Sequence, residues 1–398
     1  MIDIAFGEDK SVIKVIGVGG GGGNAANYMF KQGICNVDFV ICNTDKYALN
    51  KSPIPIKIQL GEKGLGAGNK PEIGRQAAIE TLPKIQKMLE DAEMVFVTAG
   101  MGGGTGTGAA PIIAQAAKEM GILTIGIVTI PFLFEGTNRV YQAIEGVEEM
   151  RKHVDAILII NNERIKALHG DLRLSEAFSK ADNVLAIAAK GIAEIITITG
   201  YVNVDLNDVK TVMTNSGDAI MGSGIGTGAD RAVMAIKKSL ESPLLLSMDI
   251  RKAKDILINI SHGGNEVTMD EVRIVTDYLQ KQVRPGTQII WGVTSDETLG
   301  DDVGITIVAT GFNLDARASD RVKQLNGENP QTDTEDPFIK DKMRFYYGDD
   351  LDEILRKEGY YKQKAFQKRE GAVIGDLDDD AVLDKMDKVS AYKRRYSI

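Results

Sequence analysis

Residues that bind metals or form disulfides are rare in this chain. Only two cysteines, Cys35 and Cys42, occur in 398 residues, and they lie in or just ahead of a strand-like apolar run. We interpret them as buried small apolar residues rather than as a disulfide or metal ligands. The three histidines are far apart and lack the spacing of a metal site. This composition argues against a disulfide scaffold and a histidine- or cysteine-based metal centre, and it favours the cytoplasm.

Basic charge and long apolar runs are also lacking. The 47 basic residues are outnumbered by 56 acidic ones, for a net charge of −9, which argues against nucleic acid as a partner. The N-terminus carries Glu8 and Asp9 and no basic segment ahead of an apolar core, so it does not resemble a signal peptide. The longest apolar stretch, around residues 122–134, is interrupted by Gly126 and Pro131 and is too short to span a bilayer. We therefore expect no direct insertion into a membrane.

Glycine, in contrast, is abundant and is concentrated in runs. Residues 102–108 read GGGTGTG, between a strand-like run at Met94–Ala99 and a helix-like run at Ala109–Met120. Glycine lets backbone N–H groups converge on an anion, the hydroxyls of Thr105 and Thr107 add donors, and the helix N-terminus attracts negative charge. We interpret this run as a polyphosphate-binding loop rather than a plain strand-to-helix turn. It is not a Walker A loop, because no Gly-Lys-Ser/Thr follows.

A second glycine run, GVGGGGG at residues 17–23, follows the strand-like residues 12–16. The spacing of Gly17, Gly19 and Gly22 matches the dinucleotide fingerprint and leaves open a nicotinamide-dependent Rossmann oxidoreductase. Two phosphate-type loops after two strands of one sheet, however, suit a mononucleotide whose long phosphate chain is held from two sides. A nicotinamide cofactor needs only one such loop, so the mononucleotide is the favoured interpretation.

Short apolar runs alternate with helix-like stretches through the first half of the chain. This alternation predicts an α/β fold with a Rossmann-like parallel sheet covered by helices on both faces. The predicted strands are Val12–Val18, Val37–Cys42, Met94–Ala99, Ile122–Val128 and Ala156–Ile160, and the predicted helices are Glu72–Glu90, Ala109–Met120 and Asn138–His153. Ligands bind outside the carboxyl ends of such strands, where both glycine runs and a third, Gly64–Gly68, are expected.

The second half of the chain begins with a long predicted helix. Ser175–Thr199 carries apolar residues around much of its circumference, as expected of a helix packed between two domains. A smaller α/β pattern follows, with helix-like runs at Ala229–Leu240 and Thr268–Lys281 and strand-like runs at Ile256–Ile260, Gln288–Val293 and Ile305–Thr310. After Phe312 the composition is highly charged and resists compact folding.

Several of these segments resemble one family. GGGTGTG is similar to the signature of the tubulin/FtsZ family, and further segments resemble its bacterial FtsZ branch in order and spacing. These segments are Gly17–Asn27, Asn43–Asp45, Gly64–Gly68, Pro131–Gly136 and Asn203–Lys210. The resemblance covers about residues 12–312. It implies a cytoplasmic GTPase that polymerises into filaments of the division ring at midcell.

The resemblance also implies how the chain is divided. We expect a GTP-binding domain (residues 1–174), a central helix (175–200), a smaller GTPase-activating C-terminal domain (201–312), a charged flexible linker (313–380) and a partner-binding tail (381–398), with the region after 312 mostly disordered. The tail departs from the family's usual C-terminal motif and ends in an aromatic and basic stretch, Tyr392–Tyr396. An FtsA-like membrane adaptor and division regulators are the partners that the resemblance implies for this tail.

The residues of the GTP site follow from the resemblance, position by position. Phosphate and nucleoside contacts would come from Gly20, Gly21, Gly22, Gly23 and Asn24 in the first run and from Gly104, Thr105 and Gly106 in the second. The ribose and α-phosphate would be faced by Thr129, Glu135 and Arg139, the arginine through charge-assisted bonds. The base would be held by Asn162, Phe178 and Asp182. Mg²⁺ is expected to bridge the phosphates, held mainly by phosphate and water.

Guanine recognition by Asp182 has a chemical basis. Guanine presents N1–H and N2–H₂ side by side, which a carboxylate accepts as a pair. Adenine has no N1–H and would leave the carboxylate unpaired, at a cost of about 1–3 kcal/mol or more. Phe178 lies four residues earlier, on the same helical face, and could stack on the base. From the residues alone, a core phenylalanine and a surface aspartate remain open interpretations.

Hydrolysis is assigned by the resemblance to Asp205 and Asp208, with Asn203 as a third polar member of the loop. A helix of about 25 residues spans roughly 37 Å, so this loop lies too far from the phosphate loops of its own chain. In the family these carboxylates enter the pocket of the next subunit, and the head-to-tail contact propagates as a filament. From the residues alone, Asn207 and Asp208 also suit the N-cap of a helix that begins near Val209.

Two other functions stay open at this point. A nicotinamide oxidoreductase would use the fingerprint at residues 17–22 but would leave GGGTGTG and the aspartate loop without a role. A module that assembles with GTP and barely hydrolyses it would keep both glycine runs. Gly23 and Lys70 also differ from the residues that are usual at these positions in the family.

Overall fold

The computed structural model describes six parts of the chain. They are residues 11–34, 36–164, 173–197, 204–242, 249–312 and 337–348. The described residues up to Tyr346 belong to one compact unit built around a sheet. No helix in these parts is both long enough and apolar enough to cross a membrane.

The sheet contains ten strands. They are β1 (Ile13–Val18), β2 (Asp38–Asn43), β3 (Ile56–Gln59), β4 (Met94–Gly100), β5 (Leu123–Ile130), β6 (Ala156–Asn161), β7 (Gly217–Gly226), β8 (Asp255–His262), β9 (Gln288–Ser295) and β10 (Val303–Phe312). Their order across the sheet is β3-β2-β1-β4-β5-β6-β7-β10-β8-β9. All neighbouring pairs from β3 to β7 are parallel, and β10 is antiparallel to β7 and β8. The predicted α/β class with a mainly parallel sheet is confirmed.

Eleven α-helices lie in the described residues. They are α1 (Gly19–Lys31), α2 (Lys46–Lys51), α3 (Pro71–Glu80), α4 (Leu82–Leu89), α5 (Gly104–Glu119), α6 (Thr137–Lys152), α7 (Leu174–Thr197), α8 (Leu206–Met213), α9 (Arg231–Leu240), α10 (Met269–Gln280) and α11 (Pro337–Tyr347). The predicted helix Glu72–Glu90 is in fact two helices, because Pro83 lies in the first turn of α4. Proline is tolerated there, but its missing N–H cannot continue the preceding helix.

The central strands are buried along their length, which explains their nearly continuous apolar sequences. Every residue of β1 and of β5 is buried, as expected of a parallel sheet covered on both faces. The eight predicted strands agree with the observed ones to within two residues at each end. Strand β3 and the glycine-rich strand β7 were not predicted from the sequence.

Strand β7 contains glycines because a helix packs closely on it. A Cβ at Gly226 would lie 1.8 Å from the carbonyl oxygen of Arg231, and one at Gly224 would lie 2.5 Å from that of Ala235, both in α9. Glycine weakens a strand pattern in the sequence, yet it marks the places where another backbone approaches. Because these glycines interrupt the apolar pattern, β7 was not predicted.

Both glycine runs differ from their expected loop conformation. Helix α1 begins at Gly19 and helix α5 at Gly104, so most of these glycines form the first turns of the helices. Glycine in a helix interior costs about 1 kcal/mol relative to alanine. A close contact explains its presence, since a Cβ at Gly22 would lie 2.1 Å from the carbonyl oxygen of Thr98 in β4. Only glycine lets α1 lie this close to the strand.

The long helix α7 joins the two halves of the described unit. Its residues Leu185 and Ile192 belong to the same buried apolar cluster as Ile127 of β5 and Val308 of β10. This placement agrees with the prediction of a helix packed between two parts of the molecule. Because β6 and β7 pair directly, both parts share one continuous sheet. The domain boundaries given above therefore stay predictions.

In the described residues after Phe312, one helix packs on the rest of the unit. In α11, Met343 and Tyr346 are buried, with exposed fractions of 6% and 8%. The amide of Asn161 donates a hydrogen bond to the carbonyl oxygen of Tyr346 at 2.6 Å. This part of the predicted flexible linker is therefore an ordered helix. The tail, residues 381–398, lies outside the described residues.

Candidate functional site

Four parallel strands end at the edge of the sheet where the predicted nucleotide residues lie. Strand β1 leads directly into α1, and β4 leads into the GGGTGTG run. Strand β5 carries Thr129 near its end, and Asn162 directly follows β6. Because the carboxyl ends of parallel strands meet at one edge, residues that are far apart in the chain converge there. Ligands of doubly wound sheets bind at such an edge.

The two glycine runs are in direct contact. Gly19 has a φ of 71°, and a Cβ there would lie 2.9 Å from the backbone nitrogen of Gly106. A Cβ at Gly21 would lie 3.1 Å from the Cα of Gly100. The N-termini of α1 and α5 therefore lie side by side, and the N–H groups of a first helical turn have no partner within their own helix. Two adjacent helix N-termini form a site suited to an anion that carries several charges.

Residues of the first glycine run differ in exposure. Gly20, Gly21 and Asn24 are exposed, whereas Gly22 and Gly23 are buried. In the described parts of the chain, nothing lies within 4 Å of the point that a Cβ at Gly20 would occupy. Gly20, Gly21 and Asn24 are thus open to a ligand, while Gly22 serves to bring α1 against β4.

A third segment approaches the second glycine run. A Cβ at Gly104 would lie 2.8 Å from the backbone nitrogen of Lys70, the residue that precedes α3. The hydroxyl oxygens of Thr44 and Thr105 are 2.7 Å apart and share a hydrogen bond. Thr44 therefore orients Thr105, a role that the sequence analysis did not assign. The available signal was its place directly after β2, at the same edge of the sheet.

The two threonines of GGGTGTG have different roles. The hydroxyl of Thr107 accepts a hydrogen bond from the N–H of Gly102 at 2.8 Å, so Thr107 holds the loop from inside. Because this bond uses the oxygen as an acceptor and not the O–H as a donor, the expectation that both hydroxyls donate to the phosphates stays a prediction. Gly106 packs against the end of β4, where a Cβ would lie 2.4 Å from the carbonyl oxygen of Gly100. Glycine at position 106 thus has a steric cause in addition to any ligand contact.

Thr129, Glu135 and Arg139 lie beside the second glycine run. The carbonyl oxygen of Thr129 accepts from the N–H of Met101 at 2.9 Å. A Cβ at Gly102 would lie 2.6 Å from the carbonyl oxygen of Arg139, which brings the first turn of α6 against the loop. Arg139 donates to Glu135 at 2.7 Å and is 45% exposed, so its guanidinium keeps donors available to a ligand.

Two of the predicted base contacts are polar, of which Asn162 is buried and Asp182 is partly buried. Asn162 is buried, and its side-chain oxygen accepts no hydrogen bond from any described residue. Burial raises the pKa of Asp182 in α7 to about 6. The neighbouring Asn183 accepts a hydrogen bond from the hydroxyl of Tyr28 at 3.0 Å, which ties α7 to α1. The side chain of Phe178, which also lies in α7, is outside the described part of the chain, as is Asn203.

Asp205 and Asp208 form the N-terminal cap of α8. The carboxylate of Asp205 accepts from the N–H of Asp208 at 2.9 Å, and the carboxylate of Asp208 accepts from the N–H of Asp205 at 3.2 Å. The helix begins at Leu206 with Asp205 as its N-cap, not near Val209 with Asn207 or Asp208 as expected. This reciprocal capping box holds both carboxylates at the surface.

The aspartates lie at the opposite edge of the sheet from the glycine runs. One turn into α8, the Nζ atom of Lys210 lies 3.1 Å from a carboxylate oxygen of Glu93, and Glu93 directly precedes β4. At the C-terminal end of the same helix, the N–H of Asn215 donates to Asp155, which precedes β6, at 3.3 Å. The seven residues of β4 span roughly 20 Å between the two edges. The structure therefore does not bring Asp205 and Asp208 to the nucleotide residues of the same chain.

Comparison with known proteins places this geometry in one family. Residues 12–170 match the model of the tubulin/FtsZ family GTPase domain, and residues 217–313 match that of the FtsZ family C-terminal domain. The cell division protein FtsZ of Porphyromonas gingivalis (strain ATCC BAA-308 / W83) is 45% identical over 397 residues, which cover 96% of this chain and 85% of that protein.

Solved structures show the same likeness. A structure from M. jannaschii described as an empty FtsZ dimer is 41% identical, with a TM-score of 0.72 over 76% of this chain and 88% of that chain. A GTPγS-bound protofilament of CetZ2 from Haloferax volcanii is 20% identical, with a TM-score of 0.64 over 79% of this chain and 97% of that chain, and shows the fold alone. These matches give the oxidoreductase alternative no support. Because sequence identity of 45% extends along nearly the whole chain, this protein belongs to the FtsZ family of filament-forming GTPases that act in cell division.

Proposed function

We propose that this chain binds GTP at the carboxyl edge of its sheet and assembles head to tail, so that each GTP is hydrolysed at the contact between two subunits. One observation carries the proposal: the glycine runs and the aspartates Asp205 and Asp208 lie at opposite edges of one sheet. The carboxylates of one subunit then serve the nucleotide of the next. There, with Asn203, they position and polarise the attacking water.

The nucleotide is held by three groups of residues. Backbone N–H groups of both glycine runs and the hydroxyl of Thr105 bind the phosphates, and Arg139 and Thr129 face the ribose and α-phosphate. Asn162 and Asp182 hold the base. Both offer buried or partly buried oxygen acceptors, and guanine supplies matching N–H donors that adenine lacks. Stacking of the base on Phe178 completes the proposed site.

Mg²⁺ is the metal proposed for this site. Among the described residues, no cluster of three or more histidine, cysteine or carboxylate side chains is arranged to hold a metal. Mg²⁺ keeps several waters and binds readily to nucleotide phosphates, so phosphate oxygens and water would be its main ligands. Bound there, it neutralises charge on the β- and γ-phosphates.

A homopolymer is the proposed assembly, and the M. jannaschii relative is described as a dimer. Head-to-tail contacts join two different surfaces and propagate without closing, which gives a filament. We place the filament in the cytoplasm at midcell. An FtsA-like adaptor that binds residues 381–398 would link it to the membrane.

Substitution of Asp208 tests the shared site. Asp208→Asn keeps an oxygen that can accept from the N–H of Asp205, so the cap of α8 is preserved while the charge is lost. We expect GTP affinity to stay within about twofold and turnover to fall by about 10²-fold or more. Polymers should last longer, because hydrolysis no longer weakens them. Phosphate release, equilibrium GTP binding and light scattering measure the three effects.

Asp230→Asn is the matched control. Asp230 is exposed and also precedes a helix, α9, but its side chain makes no capping bond. Its replacement should leave turnover unchanged. Equal turnover in Asp208→Asn and the unmodified protein would overturn the catalytic role of Asp208.

A further inference from the structure

Helix α11 packs on the rest of the described unit through its own buried side chains. Lys342, Met343 and Tyr346 are all less than 9% exposed, although they lie in a highly charged region of the sequence. A lysine is rarely buried to this degree unless it is paired. The helix therefore occupies a specific binding surface, which is formed by α6, the end of β6 and the start of β7.

Charged partners on this surface explain the specificity. The Nζ atom of Lys342 lies 3.4 Å from a carboxylate oxygen of Glu148 in α6. Arg151, also in α6, donates to the carboxylate of Asp218 in β7 and, at 3.2 Å, to the hydroxyl of Tyr346. Burial raises the pKa of the Tyr346 hydroxyl, which keeps it neutral. Two cations and two carboxylates balance in this network, and Lys342 supplies one of the cations.

A second set of bonds leads from α11 to the proposed base contact. The side-chain amide of Asn161 donates to the carbonyl oxygen of Tyr346 at 2.6 Å. The side-chain oxygen of Asn161 accepts from the N–H of Glu163 at 2.9 Å. This Asx turn spans Asn162, so the residue that faces the base is presented by a turn anchored to α11.

The same bonds continue to the ribose side of the pocket. The carboxylate of Glu163 accepts from the N–H of Leu133 at 3.0 Å. Leu133 begins the short turn that contains Glu135, whose carboxylate accepts from the N–H of Phe132 at 3.0 Å and from Arg139 at 2.7 Å. Hydrogen bonds from α11 thus reach the backbone of the turn at 132–135, and this turn carries Glu135 and its partner Arg139 of the proposed nucleotide site.

We propose that α11 is a positioning element of the nucleotide pocket. Docked on α6 and β6, it holds Asn161 through the carbonyl of Tyr346, and Asn161 fixes the turn at Asn162 and, through Glu163, the segment 132–139. Release of α11 loosens both sides of the pocket and weakens GTP binding. The inference rests on the proposed nucleotide site, but the bonds that carry it are independent of any ligand.

Two full-length variants test this coupling. Met343→Asp places a charge in the buried face of α11 and should release the helix. Asn161→Asp keeps the acceptor for Glu163 but replaces the donor to Tyr346 by a carboxylate oxygen, which repels that carbonyl and so breaks the link between α11 and the turn. We expect amide hydrogen exchange at 132–139 to accelerate at least tenfold in both variants without nucleotide. The Kd for a fluorescent GTP analogue, measured below the assembly concentration, should rise about five- to tenfold.

The double variant distinguishes coupling from independent damage. If α11 acts through Asn161, the double variant binds the analogue as weakly as either single one; multiplied losses would contradict the coupling. Met234→Asp, at an exposed position of α9, is the control and should change neither readout. Fast exchange in α11 with unchanged exchange at 132–139 would overturn the proposal. Failure of the unmodified protein to bind GTP would instead count against the nucleotide site, while the exchange data would still judge the coupling.

Discussion

Among single residues, Asp182 has a pKa that allows its proposed contact with the base to be tested by a change of pH. Burial raises its pKa to about 6, so near this pH the empty pocket holds a mixture of the acid and the carboxylate. Only the carboxylate accepts both N–H groups of guanine. Below pH 6, Asp182 must therefore release a proton when GTP binds. We expect this requirement to raise the Kd for GTP about tenfold for each unit by which the pH falls below 6, and to have no effect above pH 7.

Comparison with Asp182→Asn isolates this effect. The γ-phosphate of GTP also titrates near neutral pH, but it does so equally in both proteins. The contribution of the γ-phosphate therefore cancels in the ratio of the two Kd values, and this ratio should change with pH only through Asp182. A ratio that is constant between pH 5 and pH 8, measured below the assembly concentration, would show that Asp182 does not contact the base as a carboxylate.

The family resemblance could propose acceptors for guanine, but it could not give the orientation of small hydroxyl groups. Asp182 and Asn162 were assigned through the family resemblance, and the structure places both where a carboxylate and an amide are partly or fully buried. Thr44 was missed because its partner, Thr105, lies 61 residues away in the chain. This pairing depends on a tertiary contact that no local pattern contains, whereas Thr107 accepts from Gly102 within the same glycine run.

At the scale of elements, the glycines of α1 allow a graded prediction. A Cβ at Gly22 would meet a backbone oxygen at 2.1 Å, whereas one at Gly23 has only the tip of Ile41 at 4.0 Å. Gly22→Ala should destabilise the protein by about 3 kcal/mol or more, because α1 must move away from β4. Gly23→Ala should be neutral or stabilising by about 0.5–1 kcal/mol, since alanine favours the helix.

Thermal or urea unfolding of the two alanine variants measures this difference. Gly20→Ala serves as a third variant, because its Cβ would point into open space and, as for Gly23→Ala, the substitution should not destabilise the protein. Its effect, if any, should fall on nucleotide binding alone. Equal stability of Gly22→Ala and Gly23→Ala would contradict the steric explanation for glycine in α1.

Elements with a local pattern could be predicted, and those fixed by distant contacts could not. Eight strands follow from continuous apolar runs, because a sheet covered on both faces needs such runs. The first turns of α1 and α5 were expected to be loops, since glycine disfavours helices unless another backbone is close. Helix α11 was expected to be flexible, because its buried contacts with α6 are invisible within a charged sequence.

For the whole molecule, the separation of the two half-sites predicts how activity depends on concentration. With GTP at the proposed site, an isolated chain has its aspartates at the opposite edge of the sheet, so it should hydrolyse almost nothing. The rate of phosphate release per protomer should stay near zero up to a threshold concentration and rise above it. Measurement across a wide range of protein concentrations, with Mg²⁺ present, tests this expectation.

Two other outcomes would contradict this concentration dependence. A rate per protomer that is independent of concentration would mean that each chain carries a complete site. No release at any concentration would support a module that assembles with GTP without hydrolysing it. Asp208→Asn, which retains the cap of α8, should show the same threshold for assembly without the rise in phosphate release.

In the proposed head-to-tail filament, each subunit has the nucleotide at one edge of its sheet and the carboxylates at the other, so the two ends of the filament are chemically unlike. At one end a bound GTP faces water with no aspartates above it, and at the other a pair of aspartates faces water with no GTP beneath. The outermost GTP is not hydrolysed until another subunit binds there. Hydrolysis in each subunit therefore begins only after the next subunit has bound. The subunit added last to a growing filament is thus the one that still carries GTP.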